Sequence, residues 1–191
     1  MVEGEIGTSE KILNAAYTCI LTRGYANVSM RDIAKEANVA LSQINYYYKN
    51  KEGLFDAVLN SLKEKVVQNI EIKLQQIDTT QDRMAFLIAY CNELVTKNTE
   101  IYRLIVDFFS MAMWSESFSK SLKEFLKEVY GKIEQYIEND YIENKNIQAS
   151  SPNLLIRVMI GSIFGIAMHY ILDNDDNEIL EGIHIIESVI Q

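Results

Sequence analysis

The residues with the clearest chemical potential lie close together. Leu41 to Tyr48 brings Ser42, Gln43, Asn45, Tyr46 and Tyr47 into one short segment. Each can hydrogen-bond to base edges or phosphates; Gln and Asn can pair bidentately with adenine, and Tyr can add a stacking or methyl contact. Lys51 follows at the start of the next segment, where an ammonium and free helix N–H groups can share one phosphate. The alternative is the polar surface of a plain three-helix core. Three consecutive tyrosines speak against it, because solvent alone gives no reason to place Tyr46 and Tyr47 on an exposed face.

Charge distribution supports a local anion-binding patch. The whole chain carries a net charge of −9, which looks wrong for a nucleic-acid binder. Residues 1–53 hold six basic and six acidic groups, leaving 12 of the 18 basic and 21 of the 27 acidic groups to the remainder. Between Arg23 and Lys51 there are five basic residues, Arg31 and Lys49 among them, against two acidic ones. Phosphate contact needs such a patch and not a basic whole.

Other chemistry is poorly represented. No Ser/His/Asp set, paired-carboxylate site, Gly-rich phosphate loop or zinc spacing is present, so neither an enzyme nor a cofactor is expected. His169 and Asp173 are four apart, but two ligands do not make a metal site, and a helix-end ion pair is the simpler reading. Cys19 and Cys91 sit in apolar helical patterns and read as buried small hydrophobes in a reducing cytosol. No run of 18 uninterrupted apolar residues and no charged-then-apolar leader is seen, so a cytoplasmic location is expected. Tyr90, Tyr102, Phe108, Met111, Trp114, Phe125, Phe164 and Met168 supply an aromatic and Met-rich set suited to an adaptable pocket. Core packing accounts for them equally well. Asp107, between Val106 and Phe108, needs a partner: Arg103 four residues earlier, or a cationic ligand.

The elements that must position these residues are helices. A single proline (Pro152), eight glycines and an abundance of Leu, Ile, Glu and Lys favour them. Ile12, Leu13, Ala16, Cys19 and Ile20 form one apolar stripe, ended at Gly24. Ser29-Met30-Arg31-Asp32 matches a capped helix start, and a short helix to Ala37 follows. A turn at Asn38-Val39-Ala40 leads to a third short helix, Leu41 to Tyr48, with Ile44 and Tyr48 inward. Two short helices joined by such a turn make a helix-turn-helix, whose second helix enters the major groove. A long helix starts at Glu52, and further helices are expected near 81–97, 100–113, 117–143, 153–173 and 176–190. Gly161 and Gly165 each weaken their helix by about 1 kcal/mol relative to Ala, so close helix packing is expected there.

The N-terminal third resembles the TetR family of regulators. The resemblance is carried by Ile12-Leu13-x-Ala15-Ala16, Arg23-Gly24-Tyr25, Ser29 through Ala37, Asn38-Val39, and Ile44 through Phe55. It implies that Ser29 caps the second helix and touches a phosphate, that Leu41, Ser42, Gln43 and Tyr46 face bases, and that Tyr47 and Lys51 clamp the backbone. Asn45 stands where many members have a tyrosine, leaving base or phosphate contact open. Asn38 replaces the usual turn glycine. Ala40 replaces the usual hydroxyl cap of the recognition helix, a loss of about 1 kcal/mol that Ser42 or bound DNA could make good. The family's last two helices form the dimer bundle, which places Gly161, Gly165, Ile183 and Ile186 at a homodimer interface.

The expectation is therefore an all-α protein. Residues 1–53 form a three-helix DNA-binding domain with its recognition helix at 41–48, and 54–191 form a helical effector-binding and dimerisation domain. It would act as a ligand-responsive regulator, a repressor released from a palindromic double-stranded operator by a small lipophilic effector. The competing expectation is a helical small-molecule-binding protein without DNA-binding function.

Overall fold

The computed structural model describes residues 7–137, 151–173 and 178–190. Among them every regular element is helical: α1 Thr8–Arg23, α2 Met30–Glu36, α3 Leu41–Tyr48, α4 Lys51–Leu74, α5 Thr80–Thr96, α6 Thr99–Ala112, α7 Glu116–Glu134, α8 Pro152–Leu172 and α9 Glu178–Ile190. The expected extension of α7 to 143 lies outside the described residues. Helix starts follow local chemistry. Ser29, Thr79 and Ser151 each accept a backbone N–H from three residues ahead, satisfying a donor that has no intrahelical partner.

The chain divides into two compact units. One comprises Met1–Glu64 with Glu100–Phe125, the other Lys65–Thr99 with Leu126–Gln191. In the first, α1, α2 and α3 pack on one another around Ile12, Ala16, Ile20, Ile33 and Ile44. Leu54, Phe55 and Val58 of α4 and Leu104 and Phe108 of α6 are buried in the same unit. The first unit thus holds more than the helix-turn-helix, because α6 supplies core side chains that the N-terminal segment lacks.

In the second unit, α5, α8 and α9 pack together. Gly182 makes the α8–α9 contact possible: a Cβ there would come within 3.1 Å of Ile166 Cδ1. Lys132 pairs with Glu71 at 2.9 Å, and Arg83 donates to the carbonyls of Ile77 and Tyr136. One face of α8 remains uncovered. Leu154, Val158 and Leu172 are each at least half exposed, and Gly161, Gly165 and His169 are exposed between them at steps of three and four.

Candidate nucleic-acid interface

The helix-turn-helix is built by short-range chemistry. Ser29 Oγ accepts the Asp32 N–H at 3.2 Å, and Asp32 Oδ2 accepts the Ser29 N–H at 2.8 Å and the Ser29 hydroxyl. These bonds from the Ser29 hydroxyl and backbone hold the Asp32 carboxyl below its usual range, helped by Arg23 at 3.8 Å. The capping role expected of Ser29 is present, and its hydroxyl proton is already committed to Asp32. In the turn, Asn38 adopts φ +53°, the left-handed conformation that Asn tolerates better than most residues. Ile44 anchors α3 from below at zero exposure. Tyr48 fixes its C-terminal end by donating its hydroxyl to the Ser9 carbonyl at 2.8 Å.

The outward face of α3 carries the expected set. Ser42, Gln43, Asn45, Tyr46 and Tyr47 are exposed, Tyr46 at 81%, and Leu41 is half-buried. The Tyr46 and Tyr47 rings meet edge to face at 5.1 Å. Ala40 has no hydroxyl to cap the helix; the Gln43 N–H donates to the Ala40 carbonyl at 2.9 Å, and Gln43 Oε1 accepts the Ala40 N–H at 3.1 Å. Gln43 thus supplies one half of a capping box, and the half that a hydroxyl at 40 would supply is missing. Arg31, Lys35 and Lys49 are exposed around this face.

The junction after α3 is tighter than its polar sequence suggests. Lys49 takes φ +62°, and the Asn50 N–H donates across it to the Tyr48 carbonyl at 2.7 Å. This three-residue turn is a strained conformation for a residue with a Cβ. Asn50 Oδ1 then accepts the Gly53 N–H at 2.8 Å. Only glycine fits at 53, because a Cβ would lie 2.6 Å from the Tyr48 carbonyl oxygen.

Lys51 is placed differently from Arg31 and Lys49. Its Nζ donates to the Tyr25 carbonyl at 2.6 Å and lies 4.0 Å from the centre of the Tyr25 ring. Burial lowers its pKa, opposed by the Asp32 charge. Tyr25 is a hub that the sequence did not single out. Its N–H donates to Asp107 Oδ2 at 2.9 Å, and its ring packs 4.4 Å from Phe55, which stacks 4.4 Å from Phe108. Asp107 thus finds its partner in a backbone N–H of the α1–α2 loop. Gly24, at φ +75°, brings that loop close enough.

The residues proposed for an effector pocket are distributed over both units. Tyr102, Asp107, Phe108, Met111, Trp114 and Phe125 belong to the first, and Tyr90, Phe164 and Met168 to the second. Tyr102, Phe108 and Phe125 are buried, whereas Trp114 is 88% exposed. The sequence offered no signal for Asn92, whose Oδ1 in the second unit is buried without a hydrogen-bond partner. Of the expected interface residues, Gly161 and Gly165 are exposed, Ile186 is half-buried and Ile183 is buried in its own unit; Ile185, beside Ile186 on α9, is exposed. Asp173 closes α8 through its N–H to the His169 carbonyl.

Residues 12–58, which include the whole α2–turn–α3 segment, match the family described as bacterial regulatory proteins, tetR family. That segment of the chain is similar to the tetR family. It is 30% identical over 86 residues to the Bacillus subtilis protein named "Probable HTH-type transcriptional regulator YttP", a stretch covering 44% of this chain and 42% of that one. The matches span 42% and 61% of the length of the first two curated relatives. The fold extends further. The transcriptional regulator FadR from Bacillus subtilis, solved in complex with stearoyl-CoA, superposes with a TM-score of 0.72 at 18% identity, covering 95% of this chain and 98% of that one. A TetR transcription regulator from Haloarcula marismortui gives 0.73 at 22% identity, with 96% of each chain covered.

Proposed function

We propose that this chain is a tetR-family, ligand-responsive DNA-binding transcription regulator, acting as a repressor on a palindromic operator. The observation that carries the reading is the outward face of α3. Five polar or aromatic side chains stand exposed on a helix whose underside is locked by Ile44 and Tyr48. Solvent exposure of that many hydrogen-bonding side chains beside Arg31, Lys35 and Lys49 suits a major-groove surface. The protein works by binding and not by catalysis, in the cytoplasm.

A homodimer fits the α8 surface. The most apolar 18-residue stretch of α8 is only 22% buried within its own chain. A Cβ added to Gly161 or Gly165 would touch nothing within 4 Å, so packing within one chain does not call for glycine there. A second copy seated on Leu154, Val158 and Leu172 would bury that stripe and use both glycines for close helix approach. Pairing also sets two recognition helices against two half-sites.

The effector is a lipophilic small molecule taken up by the C-terminal helices. The buried Asn92 Oδ1 supports this reading, since a bound hydroxyl or amide donor would satisfy it. The stearoyl-CoA held by the Bacillus subtilis structural neighbour is a ligand of the same character. Effector and DNA would oppose one another by linkage.

Titration of the DNA flanking the protein's own gene tests the proposal. Saturable binding that weakens steeply with salt and is reversed by a long-chain acyl-CoA is the expected result. Salt-insensitive or absent binding would refute DNA recognition and leave a helical ligand-binding protein.

A further inference from the structure

Gln43 has two tasks in this structure, and the first limits the second. Its Oε1 accepts the Ala40 N–H at 3.1 Å, the glutamine half of a capping box at the start of α3. The assignment of oxygen and nitrogen follows from the partner: a backbone N–H requires an acceptor, so the oxygen points back to residue 40. The side chain is exposed, and the end that remains outward is the amide Nε2, which has two hydrogens to donate and no lone pair to offer.

A glutamine that reads adenine bidentately must present both ends, with Oε1 accepting from N6 and Nε2 donating to N7. To do so here its oxygen would have to reach N6 while sharing itself with the Ala40 N–H, or give up that bond. Losing the cap costs about as much as one base hydrogen bond returns. The fixed donor fits other bases better. Guanine offers O6 and N7 and thymine offers O4; adenine offers N7 beside the N6 donor, which faces the amide hydrogens, and the major-groove edge of cytosine presents only the N4 donor.

Resting on the DNA-binding reading above, we infer that Gln43 is a donor-only specificity residue. At the base it faces it selects a keto base, guanine or thymine, disfavours cytosine most, and does not select adenine. Sequence pattern alone suggests the opposite, because glutamine on a recognition helix suits adenine.

The test is selection from a library of duplexes with a randomised central segment, using the full chain and its Gln43→Glu and Gln43→Ala variants. Glutamate keeps an acceptor for the Ala40 N–H but holds out an acceptor in place of a donor. Wild type should enrich guanine or thymine over cytosine at one position per half-site by about five- to tenfold. Gln43→Glu should invert that position toward cytosine or adenine and leave the other positions unchanged. Gln43→Ala should lose preference there and melt at a lower temperature than Gln43→Glu, because only the glutamate retains the cap. Wild-type enrichment of adenine at the affected position would overturn the inference alone, as would a Gln43→Glu selection identical to wild type. Failure of all three proteins to enrich any sequence would overturn the DNA-binding reading and this inference with it.

Discussion

Replacing Asp107 by alanine should loosen the helix-turn-helix from a distance of 82 residues along the chain. Asp107 Oδ2 is the acceptor for the Tyr25 N–H at 2.9 Å, and Tyr25 in turn receives Lys51 on its carbonyl and ring face. A hydrogen bond to a charged acceptor contributes about 1.5–3 kcal/mol when enclosed. Asp107 is half-buried, so water can partly replace it and about 1–1.5 kcal/mol is the expected loss. For a chain of this size that lowers Tm by roughly 2–6 °C. Amide hydrogen exchange gives the sharper assay: if opening of the α1–α2 loop is what the bond resists, the Tyr25 amide should exchange roughly five- to tenfold faster. Asp107→Asn, which keeps a carbonyl acceptor, should lose less than half as much. An unchanged Tyr25 exchange rate in Asp107→Ala, with the urea midpoint also unchanged, would refute the idea that α6 holds this loop.

Three further perturbations follow from local geometry. Asp56 has a buried Oδ1 without a hydrogen-bond partner, and burial raises its pKa, aided by Glu52 and opposed by a hydrogen bond from Ser121. A folded pKa above the unfolded one means that stability is lost as pH rises through the folded value. Asp56→Asn should therefore stabilise the protein at pH 7 by roughly half a kcal/mol after allowance for solvent, and the gain should vanish in urea melts below about pH 4. Lys49→Gly should relieve the strain of φ +62° and raise stability by about 1 kcal/mol, while weakening DNA binding by removing a cation; a destabilised variant would contradict the turn described here. Although part of the Cys91 residue is exposed, its thiol is buried and its pKa is pushed up to about 12. It should resist alkylation at pH 8 until urea unfolds the chain, and rapid labelling of the native protein would show that the thiol is open.

Much of the framework is legible because it depends on residues near one another in sequence. The Ser29–Asp32 box, the positive φ of Asn38 and the burial of Ile33 and Ile44 follow from spacing and residue type, and the structure has all of them. The polar face of α3 was legible for the same reason: Ile44 has to face inward, which turns Ser42, Gln43, Asn45 and Tyr46 out. What spacing could not show was where long side chains end. Gln43 and Lys51 have reach enough for either DNA or their own backbone, and the structure gives both a backbone partner. Asp107 was recognisable as an acid in need of a partner, but Arg103 was in sequence reach and Tyr25 was not. The strain at Lys49 and the 2.6 Å approach at Gly53 likewise arise only when α3 and α4 are joined in space. On α8 and α9, an apolar helix reads the same whether its face meets its own chain or another. Hence Ile183 and Ile185 could not be told apart from sequence, although one is buried and the other exposed.

The engagement of Lys51 has a measurable consequence for DNA affinity. Five basic residues lie between Arg23 and Lys51. Lys51 is held by Tyr25, and Arg23 lies 3.8 Å from Asp32, leaving Arg31, Lys35 and Lys49 exposed near α3. In the proposed dimer, three cations per protomer would give about six phosphate contacts, for which the slope of log K against log salt is about −5. Lys49→Gln should bring the slope toward about −4, since two contacts are lost per dimer. Lys51→Met should behave differently. It should lower the melting temperature by freeing the Tyr25 carbonyl, and shift affinity without changing the salt slope. A slope that falls by about two units in Lys51→Met would mean that the ammonium leaves Tyr25 for a phosphate in the complex. The α1–α2 loop would then be held on DNA by the Asp107 bond and the packing of the Tyr25 ring on Phe55. In that case Asp107→Ala and Lys51→Met should be coupled in the free protein, where both residues hold Tyr25, and closer to additive when DNA is bound.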